Sequence, residues 1–97
     1  MALRIDLNGV ALRTASGRVL CLFRFRTTEG ILVQLPESVD ALIPWAAVEE
    51  AALDLRSGNV RLRLSRNASR PAWLGEADAL TGKWTDREIL TVAPARI

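Results

Sequence analysis

The sequence predicts a mainly β (α+β) domain: an antiparallel meander or partly open barrel of about six short strands with a short C-terminal helix. Three observations predict this fold class. Apolar and polar residues alternate on both sides of a Ser-Gly-Asn cluster at 57–59, and turn signals separate further alternating runs. Near the C-terminus, large and small apolar residues recur at helical spacing instead. At 97 residues the whole chain, 1–97, is expected to form a single domain.

The clearest element is an antiparallel hairpin whose turn lies at residues 57–59. Gly58 or Asn59 can supply the positive φ that such a tight turn needs. Period-two alternation on both sides predicts that the apolar residues share one buried face. These residues are Leu53, Leu55, Val60, Leu62 and Leu64.

The residues before the hairpin leave two interpretations open. Residues 45–56 are rich in Ala and Glu, and Pro44 suits a first helical turn, so a helix fits this segment. A short turn over 44–48 that leads directly into the first hairpin strand fits it as well. Of the two, we favour the short turn followed by a strand into the hairpin.

Four further strands are predicted before this corner, each bounded by a turn signal. Asn8-Gly9 is a strong hairpin dipeptide, and further turns are expected at 16–17 and 27–30. The predicted strands lie at residues 3–7, 10–13, 19–26 and 31–35. A polar, acidic connection over 36–40 then leads to the corner Ile43-Pro44-Trp45.

The C-terminal third predicts the short helix. Trp73, Ala77, Leu80 and Trp84 recur at the spacing of one helix face. A capping box at 85–88 would start a helical turn there, although residues 89–92 fit a closing strand equally well.

Composition excludes several catalytic strategies. The chain has no histidine, which removes histidine-based nucleophilic triads, imidazole bases and histidine-ligated zinc. Its single cysteine, Cys21, lies in an apolar run and is expected to be a buried core thiol. We therefore expect a protein that is not an enzyme and uses no catalytic residues, metal or cofactor. The N-terminus lacks an apolar signal sequence and no apolar run is long enough to span a membrane, which predicts a cytoplasmic protein.

Arginine dominates the basic residues, since only Lys83 among the 13 is a lysine. Four arginines at strand positions are candidate anion ligands, because a guanidinium binds phosphate in a bidentate manner. They are Arg24, Arg26, Arg61 and Arg63. On adjacent strands they would form a basic patch for a phosphate-bearing ligand or nucleic acid. The alternative is a solvated sheet face, on which the acidic residues at 49, 50 and 54 balance the arginines.

Two further features favour interaction with other proteins. Trp45, Trp73 and Trp84 either pack in the core or, where exposed, anchor an interface. A meander that does not close also leaves sheet edges, which can pair with a partner strand or with a second copy of the chain.

The order of these elements resembles that of small bacterial pleckstrin-homology-like domains. The local match is the Ile43-Pro44-Trp45 corner, followed by Val48 and the strands up to Leu64. The resemblance implies a binding or scaffolding module without catalysis. We therefore predict a non-catalytic protein-interaction module, self-associating or bound to a protein partner. The alternative is an anion-binding domain that uses the four arginines.

Overall fold

The structure, a computed structural model, describes residues 7–87. These residues form one antiparallel sheet of seven strands in the order β4-β3-β2-β1-β7-β6-β5, which confirms the mainly β fold class. The strands are β1 (Val10–Arg13), β2 (Val19–Arg26), β3 (Gly30–Leu35), β4 (Val39–Pro44), β5 (Val48–Asp54), β6 (Asn59–Leu64) and β7 (Ala79–Lys83). Short 3₁₀ turns lie at Pro36–Ser38, Trp45–Ala47 and Ala72–Leu74.

The sheet is curled into a half-barrel, and its connectivity requires this. Strands β4 and β5 lie at opposite ends of the strand order, yet only the turn Trp45–Ala47 joins them. Six gaps between strands would span about 29 Å in a flat sheet. The chain from Pro44 to Val48 reaches at most about 15 Å. The two terminal strands must therefore approach each other at this corner.

The predicted hairpin is confirmed as β5 and β6, and so is the turn followed by a strand over 44–54. Leu53 pairs with Val60, and the turn is closed by the Gly58 N–H, which donates to the Asp54 carbonyl at 2.7 Å. Leu55 corrects one part of the prediction. It lies in the turn and is 59% exposed, because β5 ends at Asp54. The alternation of apolar residues in the sequence, which includes Leu55, continues past the end of the strand.

The strands at 10–13 and 19–26 are confirmed at their predicted bounds, and β3 begins one residue before its prediction. Strand β4 replaces part of the predicted acidic connection. Glu37 and Ser38 both have positive φ, which reverses the chain at once so that Leu35 faces Val39. Non-glycine residues seldom adopt this conformation, so the sequence gives little sign of the turn.

The helix predicted over 73–84 is wrong. Gly75, at φ +61°, ends the turn Ala72–Leu74, and the chain then enters β7 between β1 and β6. At Gly82 a Cβ would lie 2.5 Å from the Ala11 carbonyl oxygen, so this position needs a glycine for close strand packing. Predictions for residues 3–6 and from residue 88 onward lie outside the described residues.

The core fills the concave side of the half-barrel. It is built from both halves of the sheet, with Leu12, Ile31, Ile43, Leu62 and Leu80 fully or almost fully buried. Cys21 is buried among them, as predicted, and burial raises the pKa of its thiol to about 12.

Candidate functional site

The half-barrel opens to solvent through a groove, which we call the mouth. It has a volume of about 460 Å³ and lies between the last residues of β2 and the β5–β6 hairpin. Its walls are mainly apolar, and the only charged groups among its described lining residues are the guanidinium groups of Arg24 and Arg26. The apolar lining includes Phe25, Trp45 and Leu53. Cavities of this size and character commonly bind ligands.

Four consecutive residues of β2, Phe23 to Arg26, line the mouth, and the strand contains a bulge among them. Phe23 faces Val33 and Phe25 faces Leu32, which leaves Arg24 without an opposite residue on β3. Regular alternation would place Phe25 on the face opposite to its two neighbours. The extra residue breaks this alternation and redirects the side chains that follow it. Phe25 is 52% exposed.

The two arginines of the mouth differ in how firmly they are held. The Nη1 of Arg24 donates a hydrogen bond of 3.1 Å to Oε1 of Gln34, a neutral partner that orients the guanidinium without neutralising it. Arg26 is exposed, and its guanidinium has no hydrogen bond or ion pair with any of residues 7–87. Both positive charges therefore remain available to a ligand.

Trp45 forms a fixed wall of the mouth. Its indole Nε1 donates to the Thr27 carbonyl at 3.0 Å, and its backbone N–H donates to the Glu29 carbonyl at 3.2 Å. These bonds tie the corner between β4 and β5 to the β2–β3 turn. Trp45 is still 36% exposed, as expected of an interface anchor.

The opposite wall is the terminal strand β5. Ala51 and Ala52 line the mouth and are exposed. Strand β5 pairs with β6 on one side only, so its other edge has backbone groups without a strand partner in the described sheet. Small side chains on such an edge leave room for another strand to approach.

The four predicted anion ligands do not come together. Arg24 and Arg26 lie on β2, whereas Arg61 and Arg63 lie on β6, and β1 and β7 separate these two strands. Arg61 is an outward-facing residue whose opposite residue on β7 is Thr81. The predicted patch would have needed the two arginine strands to be neighbours.

Arg63 is engaged by two carboxylates. Its Nε lies 3.2 Å from Oε1 of Glu49 and its Nη1 lies 3.3 Å from Oε1 of Glu50. A bulge in β5, where Val48 and Glu50 face residues of β6 and Glu49 does not, brings both acids to one side. These acidic residues balance Arg63, as the solvated-face alternative expected.

Of the three tryptophans, only Trp45 lines the mouth. Trp73 is half-buried and packs against the core, and Trp84 covers the turn at Gly58. Phe25 lines the mouth as well, although no sequence pattern singled it out as a site residue. The bulge at Arg24 leaves no clear trace in the sequence.

Comparison with protein-family models, with curated proteins and with solved structures finds no match to this chain. The resemblance to pleckstrin-homology-like domains accordingly stays a prediction. Within the part of the chain that the structure describes, no helix has the length and apolar character that a membrane crossing requires.

Proposed function

We propose that the domain is a non-catalytic protein-interaction module whose mouth binds an extended segment of a partner protein. The observation that carries this proposal is the position of an exposed apolar groove beside the edge of β5 that has no strand partner among residues 7–87. The edge offers backbone hydrogen bonds to an added strand, and the groove accepts its side chains. The free thiol of Cys21 fits a cytoplasmic location, which we propose for the domain.

The apolar anchors of the binding mode would be Phe25 and Trp45. Both side chains already contact the protein on one side and expose the other side to water. Covering the exposed half of an aromatic ring contributes about 1 kcal/mol from burial alone. Trp45 is held by its hydrogen bond to Thr27, so little rotamer freedom is lost when it is covered.

A phage-displayed library of random linear peptides tests the proposal. We expect selection of peptides with apolar residues at alternate positions, and synthetic copies should bind the wild-type protein. Phe25→Ser should weaken their binding by at least about tenfold. Leu55→Ser is the matched control, because Leu55 is similarly exposed but does not line the mouth. Failure to select peptides, or equal binding by both variants, would overturn the proposal.

Self-association is tested on the protein alone by analytical ultracentrifugation over a range of concentrations. The proposal expects a monomer. A dimer that disappears in Phe25→Ser would mean that a second copy of the chain occupies the mouth. It would overturn the proposal that the occupant is a segment of a different protein. The alternative function, anion binding by one arginine-rich sheet face, is not favoured by a specific observation, because two strands separate the arginine pairs.

A further inference from the structure

We infer that the partner segment carries an acidic side chain two residues from an apolar one, and that Arg24 and Arg26 bind its carboxylate. This inference rests on the proposed function and specifies the chemistry of the occupant. It follows from the charge of the mouth, where two guanidinium groups and no carboxylates are found among the described lining residues.

The surroundings of the two arginines favour a carboxylate ligand. Arg24 donates to the amide oxygen of Gln34 with one Nη, which leaves the other N–H groups of its planar fork for a ligand. Arg26 makes no competing ion pair with residues 7–87. Adjacent apolar walls reduce the solvation of the site, and they strengthen charge-assisted hydrogen bonds there. The mouth is therefore complementary to an anion attached to an apolar chain.

The spacing follows from the geometry of an added strand. Side chains of an extended segment alternate, so residues i and i+2 enter the mouth together, about 7 Å apart. An apolar residue at i would lie against Phe25 and Trp45. An Asp or Glu at i+2 would then reach the guanidinium groups at the end of β2.

Two short peptides, acetylated at the N-terminus and amidated at the C-terminus, test the inference by calorimetry. In each peptide Val and Thr alternate, and one further residue follows the last Thr. This residue is Glu in one peptide and Gln in the other, so it lies two positions after a Val. We expect the Glu peptide to bind wild type about tenfold more tightly than the Gln peptide. In Arg24→Gln/Arg26→Gln the two affinities should become equal. Arg56→Gln, at an exposed arginine outside the mouth, should keep the preference.

The possible failures are distinguishable. Equal binding of both peptides by wild type, with loss of both in Phe25→Ser, would overturn the carboxylate assignment and leave the interaction module in place. No binding of either peptide, together with failed library selection, would overturn both proposals. Tighter binding of a phosphoserine peptide than of the Glu peptide would assign the mouth to phosphorylated partners. It would overturn the assignment to a partner segment with an Asp or Glu side chain.

Discussion

The indole ring of Trp84 lies directly over Gly58. A Cβ added to Gly58 would come within 2.3 Å of Cδ1 and 2.5 Å of Nε1 of Trp84, and the Trp84 backbone N–H donates to the Gly58 carbonyl at 2.9 Å. Gly58 also has a φ of +76°, which suits glycine best. The end of β7 is thereby fastened to the turn between β5 and β6.

Gly58→Ala should consequently lower the free energy of unfolding for two reasons, the positive φ and the displaced indole. Gly17→Ala is the matched control, because Gly17 has a φ of +91° and nothing lies within 4 Å of its added Cβ. We expect a loss of about 1 kcal/mol for Gly17→Ala and at least about 2 kcal/mol for Gly58→Ala in urea titrations. Equal losses would show that the contact with Trp84 is unimportant.

Two leucines of the hairpin should differ sharply in their effect on stability. Leu62 is 2% exposed and Leu55 is 59% exposed, although the sequence alternation groups them on one face. Leu62→Ala removes buried methyl groups and should cost about 2–5 kcal/mol. Leu55→Ala should change the unfolding free energy by less than about 0.5 kcal/mol. The urea midpoints of the two variants measure this difference, and similar shifts would contradict the register of the hairpin.

The different burial of Leu55 and Leu62 shows which features of the fold can be predicted from the sequence. Period-two alternation and turn dipeptides located β1, β2, β3 and the hairpin, because those signals are local. Strand β7 was missed because its position between β1 and β6 is decided by contacts distant in sequence, while its residues match a helical period by chance.

The candidate site was predicted only in part, for a related reason. The Ile-Pro-Trp corner identified Trp45, and arginine spacing identified Arg24 and Arg26. The mouth itself depends on the curl of the sheet, and the part of β2 that lines it contains the bulge at Arg24. Neither feature has a local sequence signal of the kind that glycine or proline gives to a turn.

The contribution of the Trp45 indole hydrogen bond to the free energy of unfolding should be measurable separately from that of the aromatic ring. Trp45→Phe keeps an aromatic wall but removes the donor to the Thr27 carbonyl. Since the carbonyl is partly accessible to water, we expect a loss of about 0.5–1.5 kcal/mol in urea unfolding. A loss clearly below about 0.5 kcal/mol would contradict the anchoring role of the Trp45 hydrogen bond.

The buried thiol predicts a stability that falls at alkaline pH. Burial raises the pKa of Cys21 from 9.0 to about 12, so the folded state keeps its proton while the unfolded chain loses it. The contribution of the protonated thiol to the free energy of unfolding is complete below pH 9. It falls by up to about 1.4 kcal/mol per pH unit as the pH rises toward 12. Cys21→Ala lacks this titration. The advantage of wild type over Cys21→Ala in urea unfolding should therefore shrink between pH 8 and about pH 10, and an advantage independent of pH would mean that the thiol reaches solvent.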